Sequence, residues 1–117
     1  MSEIKTARIT DTMFGREDHG ILTFMIFVEM NDSRCGIGGY ALDWVNAKSK
    51  QRIYEGRGLE AISRILSTVG VRQWEDLTGK YIRVKDEGWG KPIYEIGNII
   101  KEDWFNLKDF FEGKTDL

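Results

Sequence analysis

Two side chains in this sequence have reference pKa values near neutral pH, His19 and Cys35, and each is the only one of its type among 117 residues. An imidazole can serve as general base and a thiolate as nucleophile, but group transfer by such a pair needs a third group to orient the base. His19 lies in the charged turn "GREDHG" (15–20), where an exposed side chain is expected. Cys35 follows Arg34 at a strand start; a cation there can lower a thiol pKa, but a small buried cysteine is the expectation. One His and one Cys offer no metal-ligand pair at the usual spacings. The carboxylate pairs Glu17–Asp18, Asp86–Glu87 and Glu102–Asp103 are neighbours in or beside turns, so their side chains diverge and read as solvated charges rather than a Mg2+ site. The glycines of "GIGGYALDW" (36–44) do not make a phosphate loop. A dinucleotide fingerprint needs G-x-G-x-x-G between a strand and a helix, and a P-loop needs a Lys-Ser/Thr pair. Glycines inside a strand instead permit a bend, a bulge or a close backbone approach. The residues therefore predict no catalytic site, no cofactor and no metal, and the chain reads as not an enzyme.

Binding chemistry is better represented. Residues 48–57, "KSKQRIYEGR", carry Lys48, Lys50, Arg52 and Arg57 against the single acid Glu55, with Tyr54 among them. Cations that track phosphates, beside a ring that stacks on a base, are what single-stranded nucleic acid requires. Tyr81, Arg83 and Trp89 extend such a face, and the candidate set for nucleic acid is Lys48, Lys50, Arg52, Tyr54, Arg57 and Trp89. A second set is aromatic: Trp44, Trp89, Trp104, Phe105, Phe110 and Phe111 lie in or beside turns and termini. Aromatic residues anchor protein interfaces. The Phe residues are assigned to the core, and Trp44, Tyr54 and Trp89 to a partner-binding rim. The net charge of −2 gives no general attraction to polyanions, and the acidic tail from Glu102 opposes nucleic acid. A protein partner is the leading reading.

The elements that must position these residues follow from periodicity. A chain of this length, 41% apolar and 31% charged, suits one domain spanning 1–117. No apolar run spans a bilayer and "MSEIKTARIT" lacks a secretory core, so a cytoplasmic, reducing site is expected. Alternation predicts strands at 4–14, with Ala7, Ile9 and Met13 on one face, at 21–30 and at 35–42. A polar connection covers 46–58. Leu59, Ile62, Leu66 and Val69 then predict a helix ending at Gly70, with Val71 packing back on its last turn. Strands follow at 80–85 and 92–100, and a short helix at 103–111. Strand 21–30 is apolar on both faces, and the helix and tail are expected to cover Ile21, Met25 and Phe27. This is an α+β, mostly β order: a five-stranded OB-like Greek-key barrel, or a curved sheet, with one helix between strands three and four and a short C-terminal helix.

Four stretches together, "EDHGILTFMIFVE" (17–29), "GIGGYALD" (36–43), "GLEAISRILSTVGVRQWEDLTGKYIRVK" (58–85) and "IGNIIKEDWF" (96–105), resemble a group of small hypothetical proteins of phages and prophages. The resemblance spans most of the chain but not the basic loop 46–57. It implies a phage setting and action in the cytoplasm of a bacterial host, and it carries over no functional residue. Small phage proteins of this kind bind phage nucleic acid or obstruct a host defence. The resulting expectation is a binding module that occupies a host or phage protein, inhibiting a host-defence or nucleic-acid-processing complex. Its alternative is an OB-type single-stranded nucleic-acid binder.

Overall fold

The computed structural model describes residues 3–31, 33–54 and 56–113. Three strands run antiparallel in sequence: β1 (Glu3–Arg16), β2 (Leu22–Met30) and β3 (Ser33–Gly38). The small strands β4 (Asp43–Val45) and β5 (Arg52–Tyr54) form a separate hairpin, followed by helix α1 (Gly56–Val69) and a single 3-10 turn at Trp74–Asp76. Strands β6 (Tyr81–Asp86), β7 (Glu95–Gly97) and β8 (Trp104–Asn106) complete the main sheet, and α2 (Leu107–Phe111) continues directly from β8. The sheet order is β3-β2-β1-β6-β7-β8, with β3 and β8 at its two edges.

The class is α+β, rich in strand, with a six-stranded antiparallel sheet that does not close. Three local causes separate it from the expected five strands. Strand three stops at Gly38 rather than reaching residue 42, because Gly38 (φ +119°) and Gly39 (φ +81°) leave the extended region. The polar connection contains β4 and β5. The expected helix at 103–111 is half strand, since residues 104–106 pair with β7 before α2 begins.

A register shift between Ile9 and Asp11 marks a bulge in β1. An extra residue turns every later side chain to the other face. Ile9 pairs with core Val28, whereas Met13 pairs with Met25 on the opposite face, so Met13 does not share the face of Ala7 and Ile9. The core lies on one side of the sheet: Ile9, Phe24, Ile26, Val28, Ile82, Val84 and Ile96 meet Ala61, Ile65 and Val69 of α1 and Leu107 and Phe110 of α2. Both helices therefore pack on the Phe24–Ile26–Val28 side. The expected cover over Met25 and Phe27 is not there: Phe27 is exposed and Met25 half-buried, lying against Gly36 of β3.

The helix ends as expected. Gly70 adopts φ +93°, the amides of Gly70 and Val71 both donate to the Leu66 carbonyl, and Val71 packs on the core. Its buried stripe is Gly58, Ala61, Ile65, Thr68 and Val69. Leu59, placed at the head of the expected stripe, is 73% exposed. No helix among the described residues is long and apolar enough to cross a membrane.

Candidate functional site

The glycine turn that ends β3 builds the site. A Cβ on Gly38 would lie 2.7 Å from the Phe24 carbonyl oxygen, and the Gly39 amide donates to that same oxygen at 2.7 Å. Gly38 thus allows a close approach of two backbones, and the chain leaves the sheet plane there. Residues 40–42 then run beside the start of β2. Thr23 Oγ1 donates to the Tyr40 carbonyl at 2.6 Å and the Leu42 amide to the Leu22 carbonyl at 2.8 Å. The Tyr40 ring stacks on Phe111 with centroids 4.5 Å apart.

Asp43 anchors the hairpin. Its carboxylate is fully buried and accepts from Arg52 Nε at 2.5 Å, from Arg52 Nη2 at 2.8 Å and from the Leu22 amide at 3.1 Å. The two-pronged Arg52 contact holds the Asp43 carboxyl below the usual carboxylate range, and Asp43 in turn raises Arg52. Pairing of Asp43 with Tyr54, Trp44 with Ile53 and Val45 with Arg52 places Trp44 and Ile53 on one hairpin face and Asp43, Arg52 and Tyr54 on the other. In the connecting loop the Asn46 side chain accepts from the Lys48 and Ser49 amides, and Lys50 sits at φ +62°. The side chains of Lys48 and Lys50 are exposed and have no carboxylate partner among the described residues.

Beneath this hairpin the core layer opens into an apolar cleft of about 300 Å3, lined by Phe14, Leu22, Leu42, Tyr54, Gly58 and Leu59. At its lip Arg16 donates from Nη2 to the Tyr54 hydroxyl at 3.2 Å and from Nη1 to the Gly20 carbonyl at 3.1 Å. No carboxylate of the described residues forms an ion pair with Arg16.

The sequence-predicted residues divide between two ends of the molecule. Trp44 and Tyr54 are exposed on the hairpin. Trp89 is fully exposed between Gly88 (φ +124°) and Gly90 (φ +78°), beside Glu3, Lys5 and Asp86 at the opposite end of β1. A strand of 14 residues separates Arg16 from Glu3, which is roughly 45 Å when extended, and the whole molecule is 47 Å long. Trp44, Tyr54 and Trp89 are therefore not one rim. The nucleic-acid set is likewise dispersed. Lys48, Lys50 and Tyr54 share the hairpin, but Arg52 is committed to Asp43, and Arg57 lies 5.6 Å over the Phe110 ring and donates to the Phe111 carbonyl. Of the extension, Arg83 is held by the Asn98 and Lys101 carbonyls, by Glu102 and by the Trp104 ring.

His19 is exposed in its turn and contacts Glu17; Cys35 is half-buried, and burial pushes its thiol up. Among the described residues no three His, Cys, Asp or Glu side chains gather as a metal site would require. The residues missed by sequence reasoning are Phe14, Arg16 and Leu59. Phe14 sits where the bulge in β1 inverts the alternation, and Leu59 lies beyond the true buried stripe, so neither announces itself by period. No family model, no curated protein and no solved structure matches this chain.

Proposed function

We propose that this chain is a non-enzymatic binding module that works by occupying the surface of a protein partner. In the phage setting that its resemblance implies, the partner belongs to a host-defence or nucleic-acid-processing complex, and binding inhibits it. One observation carries the reading. Of the twelve large apolar side chains exposed among the described residues, six gather at the hairpin end: Phe14, Trp44, Val45, Ile53, Tyr54 and Leu59. They lie on both faces of the hairpin, Trp44 and Ile53 on one side and Tyr54 with Phe14 and Leu59 around the cleft on the other. So many exposed apolar side chains at one end are uncommon on a protein that functions alone, and a few aromatic anchors usually carry most of an interface's binding energy.

The test is affinity capture from infected or lysogenic bacterial cells, followed by mass spectrometry, with wild type and with Trp44→Ala, Tyr54→Ala and Trp89→Ala. A partner captured by wild type and lost with the two hairpin variants, while Trp89→Ala retains it, supports the reading. Equal capture by all four proteins places the interface elsewhere.

The second reading, an OB-type single-stranded nucleic-acid binder, draws support from the exposed Lys48 and Lys50 beside the exposed Tyr54 ring. The commitment of Arg52 to the buried Asp43 carboxylate leaves it with a shorter basic track than the sequence promised, while Arg57 stays exposed beside the Phe110 ring.

A further inference from the structure

The cleft under the hairpin combines two features that a protein segment of particular chemistry would satisfy together. Its walls, from Phe14, Leu22, Leu42, Tyr54, Gly58 and Leu59, are apolar and enclose about 300 Å3, room for a side chain of leucine or phenylalanine size. Its lip carries a positioned guanidinium: Arg16 is held by the Tyr54 hydroxyl and the Gly20 carbonyl and forms no ion pair with a carboxylate of the described residues. Lys48 and Lys50 stand on the adjoining loop without carboxylate partners among the described residues. Asp43, the acid nearest in the hairpin, is already engaged by both prongs of Arg52. Apolar walls with a cationic lip, whose neighbouring acid Asp43 also feels Arg16 but has its oxygens occupied by Arg52, favour an apolar anchor flanked by carboxylates over one flanked by cations, because a carboxylate beside a planar guanidinium is a charge-assisted hydrogen-bond acceptor.

We infer that this cleft receives a leucine- or phenylalanine-sized side chain from an acidic peptide segment of the protein partner, with Arg16 meeting an adjacent carboxylate. The inference rests on the protein-binding reading above and names the chemistry of the segment bound. Tyr54 couples the two recognition elements, since its ring lines the cleft and its hydroxyl orients Arg16. Leu59 is the wall residue whose exposure makes it replaceable without loss of core.

The experiment titrates the labelled full-length protein, followed by amide and methyl NMR, with three synthetic hexapeptides: Glu-Glu-Leu-Phe-Glu-Glu, Lys-Lys-Leu-Phe-Lys-Lys and Glu-Glu-Ser-Ser-Glu-Glu. Only the first is expected to shift the Leu22, Leu42 and Leu59 signals, with affinity that weakens as salt rises. Leu59→Glu and Arg16→Gln, each checked for a wild-type fold by its unbound spectrum, are expected to weaken it roughly ten-fold or more, the scale of losing one buried apolar contact or one charged hydrogen bond. Equal shifts with the lysine peptide would overturn the role of Arg16. Equal shifts with the serine peptide would overturn the apolar anchor, and no shift at millimolar peptide would overturn the cleft as a site. Oligothymidine shifting the same signals would give the cleft to nucleic acid. If the peptides fail while Trp44→Ala and Tyr54→Ala still lose a captured partner, the segment chemistry falls and the protein-binding reading stands.

Discussion

Gly38 shows how much one residue decides here. Its φ of +119° and the 2.7 Å between its missing Cβ and the Phe24 carbonyl leave no room for a side chain. Gly38→Val is expected to destabilise the fold by about 1–3 kcal/mol, read as a lowered denaturant midpoint. Gly39→Asn should cost less, because a Cβ there meets only the flexible Met25 sulfur at 3.4 Å and Asn tolerates positive φ. Equal losses at both positions would contradict the close-approach account. Asp43 supplies a prediction of a different kind. Its folded pKa is depressed by the Arg52 contact, so the stability it contributes is full above the unfolded carboxylate pKa, roughly 4, and is lost as pH falls through the lower folded value. An acid titration followed at Trp44 and Leu22 amides should show the hairpin loosening below that pH. Asp43→Asn should flatten this dependence and start from lower stability; an unchanged acid profile would remove Asp43 as the cause.

Elements were legible from sequence where one face alone is buried. The C-terminal end of α1, the strands at 22–30 and 81–86 and the bend at Gly38–Gly39 all follow from period and glycine placement, whereas α1 begins at Gly56, inside the expected polar connection. What stayed hidden depends on contacts distant in sequence. The bulge after Ile9 has no local signature beyond the intrusion of Asp11, and it reassigns Met13 to the outer face. Strand β8 is three residues long, too short for any alternation to be read, and pairs across a turn held by Arg83 from β6 and by one side chain of its own. That side chain is Asn98: its amide donates to the Thr68 and Val69 carbonyls at the end of α1, while its oxygen accepts from the Ile100 and Lys101 amides. The last carbonyls of a helix have no partner within it, so Asn98 ties α1 to the β7–β8 turn. Asn98→Ala should cost about 1–3 kcal/mol and speed amide exchange at 98–101 before the rest of the sheet. Uniform loss of protection would show that the turn does not open as a separate unit. At the site, the aromatic residues Trp44 and Tyr54 could be picked out from sequence, but the cleft could not, because Phe14, Leu42 and Leu59 meet only through the tertiary fold.

At the scale of the whole molecule, the dispersal of the basic residues makes a measurable claim. Phosphate contacts release counterions, so affinity for nucleic acid falls steeply with salt in proportion to the contacts made. With Lys48 and Lys50 exposed, Arg52 held by Asp43 and Arg57 set apart against the Phe110 ring, titration with oligothymidine is expected to give weak binding and a shallow salt slope. Lys48→Ala with Lys50→Ala should abolish what there is. Tight binding with a steep slope, lost only when Arg52 and Arg57 are also replaced, would reverse the ranking of the two readings. The open sheet has one more consequence, at its β3 edge. An edge strand with unpaired amides and carbonyls is a template on which a second chain can add, and the added strand is normally held by side chains directly opposite. On the outer face of β3, positions 36 and 38 offer hydrogen atoms alone, so a newcomer finds backbone to bond but almost nothing to grip. Gly36→Val would change that while the fold survives, since its Cβ meets the movable tip of Met25, which must shift, and otherwise only the Phe27 ring at an ordinary 3.5 Å. Such a variant should form fibres or oligomers on agitation well before the wild type does. Gly36 and Gly38 thus leave this edge bare, and a second molecule is expected to grow onto it poorly.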